Sequence, residues 1–396
     1  MLLRTGLLTV VMLIVLGTTP STTTAEDTDG LSTSLVFPLH TQHNHAPGIV
    51  ECPNGDLLVS WYRGSGERQA DDVAVLGARR RKGESQWSEV FPMADHPEFP
   101  DCNTCMMIDS QERLWLFWPI IIANSWESCL TRFKVSSDYM GHGPPVWERQ
   151  DTIFLKPDDF SEEAIGLLDE FIEERKGTLS PQHEKYFGSL KEELQDKLLQ
   201  RLGWQPRCKP TVLPSGRILL PLYTDTYSFS LMAISDDQGD TWYASKPIMG
   251  FGSIQPAVLR KNDGTLVAYM RENGPINKIR VSESPDDGIS WGPVGAIDLP
   301  NPGSGLDAVR LQNGHWAMIY NDTDSGRNSL AVSISDDEGQ TWKWTRHLEK
   351  QESGSYHYPA IIQGKDGTIH AIYSYFVEGG KSMKHAEFRE DWVHGK

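Results

Sequence analysis

The sequence is short of basic residues. Its 396 residues hold 37 Lys and Arg against 54 Asp and Glu, a formal net charge of −17. A nucleic-acid binder needs a basic face to neutralise phosphates, so the bulk charge excludes that class. It leaves room for a local basic pocket that takes a small anion. Long apolar runs are also lacking. The marked one, GLLTVVMLIVLG at 6–17, is shorter than the roughly 20 residues that a membrane span needs. With 38% apolar and 23% charged residues, neither a polytopic membrane protein nor a disordered chain fits. Cysteine is sparse: Cys52, Cys102, Cys105, Cys129 and Cys208. An odd count leaves at least one thiol free. Cys102 and Cys105 form a lone C-x-x-C, without the second ligand pair of a zinc site or the βαβ context of a thioredoxin-like one. They read as core or disulfide cysteines. No nucleotide-binding Gly-rich loop, zinc signature or Ser-His-Asp order stands out, so no metal and no other cofactor is implied.

What is present begins at the N-terminus. Arg4 precedes the apolar run, and a small-residue segment follows with Thr23 and Ala25 at the −3 and −1 positions of a cleavage site. This predicts a secretory signal peptide over 1–25 and a mature chain of 26–396. The expected location is secreted or periplasmic, with no membrane span after cleavage.

The mature chain has no clean internal break. One pattern returns six times: APGIVECPNGDLLVSW (46–61), NTCMMIDSQERLWLFW (103–118), KPTVLPSGRILLPLY (209–223), QPAVLRKNDGTLVAYM (255–270), GLDAVRLQNGHWAMIY (305–320) and YPAIIQGKDGTIHAIY (358–373). Each copy is an extended segment, a turn and an apolar strand. Asn-Gly, Ser-Gly and Asp-Gly at the turns accept positive φ, which is a hairpin signal. A second pattern, S-x-D-x-G-x-T-W, is interleaved as SDDQGDTW (235–242), SPDDGISW (284–291) and SDDEGQTW (335–342), with RRKGESQW (80–87) a decayed fourth copy. Its Asp side chains bond nearby backbone N–H groups and its Trp packs beneath. Repeats of about 50 residues with four strands each predict an all-β, six-bladed β-propeller. The segment 159–203 breaks the pattern. Ile165, Leu168 and Ile172, then Phe187, Leu190, Leu194 and Leu198, recur at helical spacing. Ser180-Pro181 is a helix start and Gly203 a stop. A helical hairpin inserted in a propeller loop is expected, in one domain spanning 26–396.

The interleaved repeats resemble the sialidase (neuraminidase) superfamily in its BNR/Asp-box branch, over nearly all of 35–390 outside the insertion. The resemblance implies three arginines that hold a substrate carboxylate, a Tyr nucleophile partnered by a Glu, and an Asp acid/base. A neutral phenol suits this chemistry because a carboxylate on the reacting carbon repels an anionic nucleophile. Carried over by position, Arg271 resembles the second arginine, Arg327 the third, Tyr358 the nucleophile and Asp72 the acid/base, with Asp71 beside it as a competitor. Two positions depart from the family. The first arginine's triplet is His45-Ala46-Pro47, and the Glu is Gln255. Glutamine is no base, and imidazole offers no bidentate fork. Residues leading the copies converge at the propeller axis, which adds Asn103, Lys209 and Asp307 as substrate-binding candidates. Tyr356, His357 and Asn321 are supporting candidates, and Arg63 and Arg68 rim candidates.

Three functions follow. The first is an exported exo-glycosidase, sialidase-like, acting on a terminal acidic sugar. The second is a lyase that eliminates across a uronate-containing glycan with His45 and Tyr358 as base and acid. The third is a propeller that binds acidic glycans without turnover. In each the partner is an acidic carbohydrate and not a nucleic acid.

Overall fold

The computed structural model describes residues 25–26, 30–177 and 179–395. The predicted signal segment lies outside them, apart from Ala25. The chain forms a six-bladed β-propeller, as the repeats predict. Blade 1 is built from His43–Glu51, Leu57–Gly64, Ala74–Arg80 and Phe91–Ala94, each strand antiparallel to the next. Blade 2 runs from Cys105–Ile108 to Arg149–Thr152, and blade 3 is centred on Ile218–Thr224 and Phe229–Ser235. Blade 4 runs from Ser253–Arg260 to Gly295–Pro300, and blade 5 from Asp307–Arg310 to Trp344–Lys350. In blade 6, Ser355–Gln363, Ile369–Val377 and Gly380–Phe388 are joined by the N-terminal strand Leu31–Leu35. That strand pairs from Leu31 opposite Phe388 to Leu35 opposite Lys384, so the ring closes by hydrogen bonds between the two chain ends.

Each of the six sequence copies is the inner hairpin of a blade. At the hairpin turns Gly55, Gly216, Gly264, Gly314 and Gly367 all have positive φ, and in blade 2 Glu112 takes that conformation at φ 59°. The Asp boxes follow the third strands of blades 3, 4 and 5, at the end opposite to where the inner strands begin. They agree bond for bond. Asp237, Asp286 and Asp337 accept from the hydroxyls of Ser235, Ser284 and Ser335, and from the backbone N–H and hydroxyl of Thr241, Ser290 and Thr341. The box glycines press on the preceding blade. A Cβ on Gly239 would lie 2.4 Å from the Trp115 ring. Trp242 and Trp342 pack edge-on to Phe117 and Tyr269. The boxes therefore join blades and leave the other end free for chemistry.

The insertion runs from the fourth strand of blade 2 to the first of blade 3, on the end where the inner strands begin. It forms the expected helical hairpin, Ser161–Glu174 and Pro181–Gln195, followed by a short third helix, Lys197–Arg201. The second predicted helix breaks at Asp196, whose side chain accepts from Leu198 N at 2.8 Å and caps a new start. Leu168, Leu190 and Leu194 are buried in one cluster with Phe160, Trp204, Tyr227 and Phe229. Each such leucine stabilises docking by about 2 kcal/mol. The helices are thus part of the core. All five cysteines are buried and unpaired, which decides between the two readings: they are core residues. Among the described residues, no helix is long and apolar enough to cross a membrane.

Candidate functional site

Three inner strands carry the same irregularity at the same height. Their pairing slips between His45 and Gly48, between Ile254 and Ala257, and between His357 and Ala360. Each slip contains an X-Pro step: Ala46-Pro47, Gln255-Pro256 and Tyr358-Pro359. The residue before each proline has positive φ: 52° at Ala46, 57° at Gln255 and 46° at Tyr358. Asn103, on the inner edge of blade 2, has φ 34°. A left-handed non-glycine residue costs about 1–2 kcal/mol. Bulges of this kind re-aim side chains, and strain of this kind gathers at functional sites. Here they bring Gln255 and Tyr358 together over the axis.

The Tyr358 hydroxyl accepts from Arg271 Nη1 at 2.9 Å and from Gln255 Nε2 at 3.1 Å. Both of its lone-pair positions are thus taken by donors. In this orientation the Gln255 Oε1 is buried without a partner among the described residues. Gly305 makes room for the pair, since a Cβ there would lie 2.8 Å from the Tyr358 ring and 3.0 Å from Gln255 Oε1. The guanidinium carbons of Arg207, Arg271 and Arg327 lie 5.0, 6.0 and 5.8 Å from the centre of the Tyr358 ring.

His45 stacks on the Tyr358 ring at 4.4 Å and 26°, and its Nδ1 lies 2.9 Å from Ser374 Oγ. Burial, then His357, His43, Arg327 and Arg207, push its imidazole well below the usual range. It is therefore neutral at pH 7. His357 is pushed down to about 3 by burial and then by Arg327. Arg327 Nη1 donates to His357 Nδ1 at 2.7 Å. Arginine can only donate, so the His357 proton sits on Nε2, a buried atom with no partner among the described residues.

The other predicted residues lie at different levels. Asn103 lies in the pocket wall, donating to Gln205 Oε1 at 2.9 Å and to the Tyr223 hydroxyl at 3.2 Å. Lys209 and Asp307 lie lower, in the axial channel. They pair at 2.7 Å, and Asp307 Oδ2 also accepts from Ile361 N at 3.0 Å. Asp72 sits on the rim, exposed, with Ser65 N 3.0 and 3.1 Å from its two oxygens and Ser65 Oγ at 2.8 Å. Asp71 accepts from Asn124 at 2.7 Å. Neither aspartate bonds to Tyr358, Arg271 or Arg327. Arg63 folds back on Asn44 and the Phe37 ring, and Arg68 lies 5.2 Å from the centre of the Trp126 ring. Asn321 ties Ser304, Ser329 and Tyr356 together behind the pocket, and Tyr356 is buried there.

Sequence reasoning missed two groups. Arg207 is 1% exposed and donates to the carbonyls of Tyr358, Pro359 and Pro47. It staples two of the three bulges from below. It lies two residues before the third copy, outside the repeat. The second group is Tyr62, Glu67 and His43. Glu67 Oε1 accepts from the Tyr62 hydroxyl at 2.7 Å and lies 3.1 Å from His43 Nε2. Burial pushes the Glu67 carboxyl up, but the bonds from His43 and Tyr62 outweigh it and hold it below its usual range. It is an ionised carboxylate beside the pocket. Glu67 lies within the Gly-rich 63–68 loop, and that setting was the available signal. Across the pocket, burial raises Asp225, against the pull of Arg271.

A family model described as a BNR repeat-like domain matches residues 197–371. An anhydrosialidase of Macrobdella decora is 24% identical over 191 residues, covering 43% of this chain and 25% of that protein. The chain thus spans about a quarter of the length of this curated relative. A crystallised protein of unknown function from Dyadobacter fermentans superposes with a TM-score of 0.68 at 14% identity, over 91% of this chain and 99% of that one. The NanB sialidase of Streptococcus pneumoniae superposes with 0.66 at 13% identity, over 91% and 71%. At these identities the structural likeness is one of fold. Asp-box repeats, blade count and the BNR repeat-like match over 197–371 together make the chain similar to the sialidase superfamily in its BNR/Asp-box branch.

Proposed function

We propose that the pocket over Tyr358 takes the terminal acidic sugar of a glycan, and that the protein is an exo-glycosidase of sialidase-like chemistry. The observation that carries this reading is the Tyr358 hydroxyl held by Arg271 and Gln255 between three guanidinium groups. Arg271 and Arg327 would hold the sugar carboxylate. Neutral His45, in place of a third arginine, would donate or accept a single hydrogen bond. Tyr358 would meet the anomeric carbon, its developing charge stabilised by Arg271. Proton donation to the leaving oxygen falls to Asp72 on the 65–72 loop. Residues 1–25 would direct export. A secreted product whose sequence starts at Glu26 supports that part, and one that retains Met1 refutes it.

A second reading has its own observation. His45 is neutral and stacked on Tyr358, a pair suited to take a proton from a uronate and return one to the leaving oxygen. The purified protein, incubated with a panel of acidic glycans and read by mass, separates the readings. Release of a terminal acidic sugar that is lost in Tyr358→Phe supports the glycosidase. A product lighter by water, absorbing in the near ultraviolet, supports the lyase. Bound but unchanged glycan refutes both and leaves a binding propeller.

A further inference from the structure

At the end of the propeller opposite the pocket, blade 6 meets blade 1. Blade 1 carries only the decayed box 80–87, so this seam lacks the Asp-box joint that the box glycines of blades 3, 4 and 5 make. Something else fills it. His370 stands on Ile369–Val377, and His385 and Glu387 stand on Gly380–Phe388. His370 is the direct cross-strand partner of Glu387. His385 lies two residues before Glu387 and so on the same face of the sheet. All three side chains turn toward blade 1, where Trp87 meets His385 edge-on at 5.4 Å and Arg80 pairs with Glu387.

We propose that His370, His385 and Glu387, all on blade 6, form a zinc site facing the seam with blade 1. His370 Nδ1 lies 3.2 Å from His385 Nε2 and 3.6 Å from Glu387 Oε2, and one ligand atom of each residue falls within 4.8 Å of the others. Zinc holds nitrogen and oxygen ligands at about 2.0–2.2 Å in a tetrahedron, whose edges are then about 3.3–3.5 Å long. The His370–His385 edge of that figure is already formed to within a few tenths of an ångström, and a turn of the Glu387 carboxylate completes the other two. Two imidazoles and one carboxylate select zinc over calcium or magnesium, which take oxygen ligands. His370 and His385 are 7% and 1% exposed, so both rings are held by packing. Arg80 donates to Glu387 Oε2, so a turn that brings Oε1 to the metal leaves Arg80 on Oε2 as an outer partner. His370, Glu387 and Arg80 also line a cavity of about 880 Å³ that opens to solvent. It supplies an entry path and a water for the fourth position. A metal here links the two strands of blade 6 that lie beside the ring-closing strand Leu31–Leu35, and binding to the folded state alone raises its stability.

Without a metal the same contacts amount to one N–H···N bond and one ion pair, and measurement separates the two cases. The full chain is stripped with a chelator, desalted and titrated with Zn²⁺ against a chromogenic zinc indicator. One equivalent bound, with a rise in melting temperature, is expected. His370→Gln and His385→Gln should each weaken binding about tenfold or more. Absence of a stoichiometric equivalent in the native chain overturns the proposal, as does uptake unchanged in the double variant. Cobalt(II) needs no variant. Intense visible bands of a tetrahedral ion support the site, and the weak spectrum of the hydrated ion refutes it. No arm of this experiment depends on the chemistry of the pocket over Tyr358.

Discussion

Gln255→Glu tests what the pocket is for. The amide nitrogen of Gln255 is 3.1 Å from the Tyr358 hydroxyl, and the side chain is 1% exposed. The substitution is isosteric. It replaces a donor with a carboxylate oxygen that can take the phenol proton as the bond to the sugar forms. A general base in position contributes about 10²–10⁴-fold, so turnover of a fluorogenic sialoside should rise by that order. Burying a carboxylate costs several kcal/mol, but Arg271, already 2.9 Å from the same hydroxyl, supplies an opposite charge. Gly305 leaves the space, so the fold should hold, which a thermal melt checks. The gain should appear in kcat, because the carboxylate of the substrate is held elsewhere, and adding Tyr358→Phe should abolish it. A folded Gln255→Glu protein no faster than the native one, or equally fast without the Tyr358 hydroxyl, refutes the assignment of Tyr358 as nucleophile.

Other outcomes can be measured directly. Arg207→Met strips a donor from the carbonyls of Tyr358, Pro359 and Pro47. An unsatisfied buried carbonyl costs about 1–3 kcal/mol, so urea unfolding should show a loss of about 3 kcal/mol, and an unchanged midpoint counts against the staple. Gly239→Ala, at φ 86° and with its Cβ 2.4 Å from Trp115, should destabilise by about 2–5 kcal/mol while sparing ligand binding. His357 is neutral when folded and is pushed down to about 3, whereas the unfolded chain takes up that proton near pH 6.5. Its contribution to stability is therefore complete above about pH 6.5 and is lost as pH falls toward about 3, at about 1 kcal/mol per unit. His357→Gln should flatten that part of the stability profile, and an identical slope in both proteins rules the group out. Leu194→Asp should undock the helical insertion, exposing the cluster around Phe160 to a hydrophobic dye, and an unaltered dye signal argues against docking.

The sequence alone determined the architecture. Six hairpin copies and three Asp boxes are local signals, because turns need Gly, Asn or Asp at fixed positions and strands need alternating apolar residues. Each blade repeats them, so blade count and strand order were legible before any coordinate. It also placed Tyr358, Gln255, Arg271, Arg327 and His45 at one end of the blades, since each lies at a fixed distance from a repeat. Only the tertiary structure decided what those residues touch. Tyr358 meets Gln255 across 103 positions of chain, and Arg207 reaches Pro47 across 160. It showed that the carboxylate of Asp72 is bonded by Ser65, that Lys209 and Asp307 are paired with each other beneath the pocket, and that Glu67 is the ionised carboxylate bonded to Tyr62 and His43. Within the expected helical hairpin it interrupted the second helix at Asp196, where one capping bond outweighed a continuous apolar period. Periodicity fixes which face a residue occupies. A bulge, a buried arginine or a hydrogen bond between distant blades depends on the closed ring, and no local pattern encodes it.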